Sequence, residues 1–591
     1  MVEHTRIENP EGRGPREGHG PGVGHGSREG HGPGEGHGPC EPFETHEVFN
    51  QSPTFVDENL YATDKVLREA VSREGGPEAQ GGLQAWGAVC GSAETLDLGR
   101  LANAHGPVLR THDAKGRRID LVEFHPAYHE LMRRSMAEGL HCSTWEEAAC
   151  QPEAGRQKAG TAAHVARAAK LYLMAQAENG HICPITMTHA SVAALRHAPD
   201  LLRTWLPKIL SRRYDPALKP LAEKQGVTLG MGMTEKQGGT DVRANTTVAE
   251  PVNGAYAVTG HKWFMSAPMC DAFLVLAQAP GGLGCFLMPR VLPDGTLNGL
   301  RFMRLKDKLG NRSNASSEVE FVRALAWGVG EEGRGIRTIL EMVTLTRLDC
   351  AVSSAGLMRL GLANAVLHAR HRSVFQRRLA DQPAMANVLA DLALEIEAAT
   401  ALVFRLARAF DRMAEEAESD FARLMTPAIK YRVCKTAPAL LYEAMECLGG
   451  NGYIEEGLLA RAYREAPVNA IWEGSGNVMA LDVLRALSRR PEALGTVLDE
   501  VLASAGSDPR IAAEADALAE AFRAPGTEFH ARELTERLVT LVAAALLAAH
   551  APDFVSEPFR ATRLDGGWRA TYGRLPSTTG FRDVLDRAFP A

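Results

Sequence analysis

An α+β fold is what this sequence predicts, with a β-barrel-like domain set between helical regions. Three observations carry the expectation. From residue 59 to about 225 apolar residues recur at helical spacing, as in Asp64-Lys65-Val66-Leu67-Arg68-Glu69-Ala70-Val71 and in the run from Ala162 to Leu173. From 227 to 329 the pattern becomes short β-rich runs broken by glycine and proline, such as Tyr256-Ala257-Val258-Thr259 and Ala272-Phe273-Leu274-Val275-Leu276. From Gly335 long amphipathic stretches return and continue to the end.

Taken in order, residues 1–45 form a Gly/His-rich tail. Its repeats, such as Glu17-Gly18-His19-Gly20-Pro21 and Glu29-Gly30-His31-Gly32-Pro33, offer almost nothing to bury and predict disorder. A solvated tail is the plain reading of those histidines, and no metal site is assigned to them. An N-terminal helical domain is expected over 46–226 and a β domain over 227–330. A helical bundle is expected over 331–487, from the stretches Thr338–Leu348, Gly356–Phe375, Met385–Ala414 and Ala422–Leu448. A further helical domain is expected over 488–591, where Leu538 to Ala549 is too short to span a bilayer and reads as a buried helix.

Composition narrows the function classes. The 591 residues are 45% hydrophobic and 23% charged, with a formal net charge of -7, so no global charge draws the chain to nucleic acid. Ten cysteines without a CxxC pair predict reduced thiols and not a disulfide framework or a zinc site. The start shows no signal-peptide pattern, so the expectation is a cytoplasmic protein without a membrane partner.

Five segments carry chemistry. Met231-Gly232-Met233-Thr234-Glu235-Lys236-Gln237-Gly238-Gly239-Thr240-Asp241-Val242 opens the β domain with glycines and hydroxyls that can hold a flat heterocycle and its phosphates; a polar surface loop is the alternative. Gly260-His261-Lys262-Trp263-Phe264-Met265-Ser266 sets two aromatics at a strand end. Arg372-Ser373-Val374-Phe375 is followed by Gln382-Pro383. Leu448-Gly449-Gly450-Asn451-Gly452-Tyr453 is a helix end with a glycine turn. Ile471-Trp472-Glu473-Gly474-Ser475-Gly476-Asn477 sets one carboxylate beside an aromatic and a small-residue turn. Apolar walls raise a carboxylate's pKa and suit it to take a weakly acidic C–H proton, although a lone Glu-Gly pair is more often a surface feature.

In this order the five segments resemble the acyl-CoA dehydrogenase flavoprotein family over roughly residues 55–487. Gly230 to Gly239, Leu305 to Ser316 and Glu465 to Asn477, with the C-terminal extension, resemble its AidB-like branch. The resemblance implies FAD, a homotetramer and an acyl-CoA substrate. It makes Glu473 the base that takes the acyl α-proton while hydride leaves the β-carbon. It implies a flavin site built from Met231, Met233, Thr234, Gly239, Thr240, Phe264, Met265, Ser266, Gly449, Gly450, Ile471, Trp472, Gly474, Ser475 and Asn477. It implies that Arg372, Phe375 and Gln382 reach FAD at a subunit contact.

Three positions depart from the family pattern. Phe264 stands where the family has tryptophan, Gln376 where it has glycine, and Trp472 where tyrosine is common, which predicts a narrowed acyl pocket. Function is therefore read as AidB-like, in the response to alkylation damage. One alternative is a metabolic short- or branched-chain acyl-CoA dehydrogenase that passes electrons to an electron-transfer flavoprotein. Another is a DNA-associated protein with a non-catalytic flavin. Double-stranded DNA enters as a partner through the resemblance and through residues 559–591, where six arginines stand against three acids; a solvated charged face is the other reading.

Overall fold

In the computed structural model the described residues are 46–146, 162–505, 508–564 and 579–589. The Gly/His-rich tail, Cys40, Cys150, Arg569 and Arg574 therefore lie outside the described residues. Residues 46–49 belong to a unit separate from the body Asn50–Ala591.

The first part of the body is helical: α1 Lys65–Gly75, α2 Leu83–Gly91, α3 Ala93–Ala104, α4 Pro126–Ala137, α5 Ala163–Ala177, α6 Ile182–Leu195 and α7 Pro199–Ile209. Asp64 caps α1 and Ser92 caps α3, each accepting from a backbone N–H three residues on. One correction falls here. The stretch read as helical contains an antiparallel hairpin, β1 Val108–His112 and β2 Arg118–Glu123. Its turn is set by Asp113, whose carboxylate accepts from the N–H groups of Lys115 and Arg117, and by Gly116 at φ 78°. Arg118 donates to the carbonyl of Phe302 at 2.7 Å and so ties the hairpin to the β domain.

That domain comprises β3 Leu229–Gly232, β4 Val248–Val252, β5 Ala255–Ser266, β6 Ala272–Ala279, β7 Gly282–Pro289, β8 Leu300–Leu305 and β9 Ser316–Val329. Strands β6, β4, β5, β9 and β7 run side by side, and the β6–β7 pairing closes them into a ring. The β-barrel-like expectation holds. Gly260 lies where the β5–β9 register shifts, and its missing side chain admits Thr247, whose Cα would sit 2.6 Å from a Cβ there.

Helices return as α8 Gly335–His371, α9 Pro383–Asp411, α10 Glu416–Cys447, the single turn α11 Gly450–Tyr453, α12 Leu458–Asn469 and α13 Gly476–Arg489. Two expected helices are one: α8 runs unbroken through Gly356, a packing glycine whose Cβ would meet the carbonyl oxygen of Tyr172 at 2.5 Å. By length and composition α8 could cross a bilayer, but 89% of its most apolar window is buried in the protein, as expected of a core helix. Phe375, read as the end of that helix, lies instead at φ 52° in the hairpin of β10 Ser373–Val374 and β11 Arg377–Arg378, next to Gln376 at φ 64°.

The remaining helices are α14 Glu492–Ser504, α15 Pro509–Arg523, α16 Ala531–His550, α17 Asp553–Arg563 and α18 Phe581–Ala588. Leu538 through Leu547 on α16 are buried, apart from Thr540 nearly fully so, as the sequence predicts. Three of their arginines pair with acids inside the fold. Arg563 is bonded to Asp391 and, at 2.8 Å, to Glu395 on α9; Arg587 is bonded to Glu69 and, at 2.7 Å, to Glu397; Arg560 is bonded to Asp508. Arginines counted from the sequence as an outward basic face are thus largely fixed to internal carboxylates, and Arg582 alone among the described ones after Phe559 stays 93% exposed at its side chain.

The Arg563 guanidinium is 4% exposed, so its loss strands buried charge. Arg563→Ala should lower unfolding free energy by about 3–5 kcal/mol, read from the denaturant midpoint. A neutral effect would mark Arg563 as a surface arginine.

Candidate functional site

The turn between α12 and α13 is the centre of the site. Glu473 takes φ 58°, left-handed and uncommon for a residue with a side chain, and Gly474 follows at φ 109°. Two cations hold it there. Lys430, from α10 and 1% exposed, donates to the carbonyls of Trp472 at 2.8 Å and Gly474 at 2.6 Å. Arg347, from α8, donates to the carbonyl of Glu473 at 2.9 Å and to Asp482 on α13 at 2.8 Å. Three consecutive carbonyls are thus fixed by two positive charges, and Asp482 is also held by Arg423 at 3.0 Å.

The Glu473 residue keeps some surface, yet its Oε2 is shut off from solvent and accepts no hydrogen bond. Burial pushes its carboxyl pKa up, while Lys430, Arg347 and the Thr346 hydroxyl pull it back. A buried carboxylate oxygen without a donor is ready to accept a proton. Close by is Cys183 on α6, whose thiol is pushed up to about 12 by burial and whose neighbours include Glu473, Ser266 and Asn314. Ser266, at the end of β5, shares a 3.1 Å hydroxyl contact with Ser316.

The β-domain segments meet one another directly. The N–H of Trp263 donates to the carbonyl of Thr234 at 2.8 Å. Gly239 is required by close approach, since its Cβ would lie 2.3 Å from the Thr234 hydroxyl. Phe264 is half exposed, Met231, Met233 and Thr234 are half-buried, and Thr240 is exposed. Met265 is fully buried, so its main chain is what it can offer a ligand. The Trp263 ring is covered by Lys306, 3.3 Å from its centroid. An open aromatic beside an open hydroxyl loop suits a flat ring system such as a flavin.

The sequence reading left Glu235 and Lys262 without a role, although both lie in the quoted motifs. They form a fully buried pair, Lys262 Nζ to Glu235 Oε1 at 2.8 Å. Glu235 also accepts from the N–H groups of Thr246 at 2.7 Å and Thr247 at 3.2 Å, which shapes the whole loop. Burial works against the carboxylate, but Lys262 and these donors hold its pKa well below the usual range.

A third group sits elsewhere. Arg372 donates to the carbonyl of Asn50 at 2.8 Å, Gln382 to that of Val374 at 3.1 Å, and Phe375 is 90% exposed. The turn Gly449–Gly450 lies beside the same segment: the Asn451 amide donates to the Gln51 side-chain oxygen at 3.4 Å. Gly449, at φ 60°, ends α10 in the left-handed conformation glycine favours. No hydrogen bond joins this group to Glu473 among the described residues. Ile471, Ser475 and Asn477 flank Glu473 and are exposed.

The two remaining segments of the branch resemblance also touch. Asn311 donates twice to Glu465, at 2.5 and 2.7 Å, and Ser313 donates to Glu178 at 2.6 Å. Burial and Glu178 push the Glu465 carboxyl up to about 7.

With this geometry in place, comparison with known proteins is informative. Residues 50–216 match the family described as the adaptive response protein AidB N-terminal domain, residues 230–324 the acyl-CoA dehydrogenase middle domain, and residues 333–488 the acyl-CoA dehydrogenase C-terminal domain. The chain is 47% identical over 531 residues to the putative acyl-CoA dehydrogenase AidB of Escherichia coli (strain K12), covering 89% of this chain and 96% of that protein. It is 31% identical over 419 residues to acyl-CoA dehydrogenase family member 11 of Caenorhabditis elegans, covering 68% and 66%. Among solved structures, Caenorhabditis elegans ACDH-11 in complex with C11-CoA superposes with a TM-score of 0.78 at 27% identity, covering 90% of this chain and 96% of that one.

Because Lys430 lowers the Glu473 pKa, its removal has a definite sign. If Glu473 acts as a base it must be ionised, and proton abstraction should then rise with pH through its pKa. Lys430→Met should move that rise to higher pH in anaerobic flavin-reduction profiles; an unmoved profile would show that Lys430 does not act on Glu473.

Proposed function

The chain belongs to the acyl-CoA dehydrogenase family, in its AidB-like branch, and we propose that it oxidises acyl-CoA thioesters with Glu473 as the base. It is an FAD-dependent oxidoreductase. The observation that carries the catalytic reading is the buried, donor-free Oε2 of Glu473 on a turn clamped by Lys430 and Arg347. Bound FAD supplies the acceptor for the hydride that leaves the β-carbon. Glu473 takes the α-proton onto Oε2, and the clamp holds the backbone of its turn in one conformation while it does so. Trp472 and Phe264 exclude water from the reacting face. Thr234, Gly239, Thr240 and Ser266 would hold the cofactor's polar edge, and Arg372, Phe375 and Gln382 would reach it in a neighbouring subunit of a homotetramer.

A place in the adaptive response to alkylation damage goes with the AidB resemblance and rests on it. An electron-transfer flavoprotein is the acceptor the wider family suggests. A cytoplasmic location agrees with eight described cysteines that are all free and buried. Duplex DNA has narrower support: with Arg560, Arg563 and Arg587 paired internally, contact would fall to exposed Arg582 and to Arg569 and Arg574, outside the described residues.

The purified protein should be yellow and release one FAD per chain. Glu473→Gln should keep FAD and lose about 10²–10⁴-fold in acyl-CoA-driven flavin reduction; parent-like reduction would take Glu473 out of the mechanism. For DNA, replacing Arg569, Arg574 and Arg582 together with Ala should weaken a salt-sensitive gel shift without loss of stability. A full-length protein that shifts no duplex at low salt would end that reading.

A further inference from the structure

The face of α8 that meets the base leads to a polar barrier. Residues 346, 350, 354 and 357 share one face of the helix. The Thr346 hydroxyl helps lower the Glu473 carboxyl pKa, and Cys350, one turn on, has its own thiol raised chiefly by burial, with Glu473 adding to it. At the next turn stands Ser354, fully buried, about 12 Å along the helix from Thr346 at 1.5 Å per residue. The Asn469 amide donates to the Ser354 hydroxyl at 3.1 Å, and the Trp472 indole N–H donates to the Asn469 carbonyl oxygen at 3.0 Å. Asn469 is 3% exposed and closes α12.

This chain of two hydrogen bonds runs from the residue preceding the base straight across to α8. Beyond it the helices close up: Gly356 packs against the carbonyl of Tyr172 on α5. Past that contact, Leu357 and Leu360 face a cavity of about 10 Å³ shared with Gln176, Glu178, Arg461 and Glu465. That is room for one water among polar groups and a poor berth for methylenes.

An acyl group whose α-carbon meets Glu473 has its tail directed along an apolar wall where one exists. Here the α8 face that carries Thr346 and Cys350 leads to the Asn469 amide and the Ser354 hydroxyl, which already bond each other. Pushing an alkyl tail through would break both bonds and leave buried donors unpaired, which opposes its entry.

We propose that Asn469 and Ser354, with the indole they hold, form the floor of the acyl site and set the acyl length, so that short thioesters fit and long straight chains are refused. The inference rests on the acyl-CoA reading above and deepens it. Asn469 does not meet the reacting carbons; it determines specificity by position.

The test uses the FAD-loaded full chain with butyryl-, octanoyl- and dodecanoyl-CoA in anaerobic flavin reduction. Redox-inert 3-thiaacyl-CoAs of the same lengths, followed by calorimetry, report binding without proton removal. The parent should favour butyryl over dodecanoyl. Asn469→Ala should raise the dodecanoyl-to-butyryl ratio, in binding and in reduction, by about tenfold or more. Trp472→Phe, which removes the indole donor, should move the ratio the same way and serves where Asn469→Ala does not fold. Equal binding of all lengths by the parent, or an unchanged ratio in a folded variant, overturns the floor and leaves the acyl-CoA reading intact. Binding of no thioester at any length overturns that reading, and the floor with it.

Discussion

Everything in the site depends on two cations donating to three successive carbonyls. A glutamate at φ 58° is strained, and a turn that carries it relaxes unless neighbours over-determine it. Lys430 and Arg347 do so from two different bundle helices, and Asp482 fixes Arg347 from a third. The same charges that hold the backbone also moderate the carboxyl. Burial raises the Glu473 carboxyl pKa, and Lys430 and Arg347 lower it again. Position and acidity are therefore set by one arrangement.

The β domain solves a parallel problem with opposite means. Its ligand loop has no regular structure between β3 and β4 except a short turn, so backbone donors there need partners. The Glu235 carboxylate supplies them, and Lys262 compensates its charge where water does not reach. A charged pair in this position contributes little net stability, because desolvation offsets its attraction. What it does is fix one loop conformation, with Thr234 joined to the strand that carries Phe264.

The order of helical and β regions was legible because these patterns are local: a short apolar run at 272–276 and helical spacing in 162–173 need no knowledge of the fold. The Glu473 turn was legible as well, since the residues that flank it in sequence also flank it in the turn. Its clamp was not. Lys430 and Arg347 lie 43 and 126 residues before Glu473 or thereabouts in the chain, and nothing local marks either one. The hairpin at Val108–Glu123 was missed although Asp113 to Gly116 is a turn signal, because helical stretches on both sides dominated the window. Gly356 was read as a helix start, when its missing side chain serves close packing against α5. The C-terminal arginines gave the most misleading signal. A count of charges is blind to pairing, and Arg563 and Arg587 meet their acids across some 170 to 190 residues.

Four glutamates, three of them buried and Glu473 partly so, show why residue type alone does not single out a candidate base. Glu235 and Glu178 are held ionised by a lysine, a histidine and backbone or hydroxyl donors, so neither is disposed to accept a proton. Glu465 is pushed up by burial, as Glu473 is, but both of its oxygens accept from Asn311 and its side chain is sealed among α5, α8 and α12. A raised pKa there records a desolvated structural bond between the β domain and the bundle. Glu473 alone of the four combines an orphan oxygen, a raised pKa and a position on a turn whose flanking residues, Ile471 and Ser475, still face solvent. Desolvation makes a carboxylate basic, and access makes it useful; the fold provides both at this one turn because the cations grip its backbone and leave its side chain free.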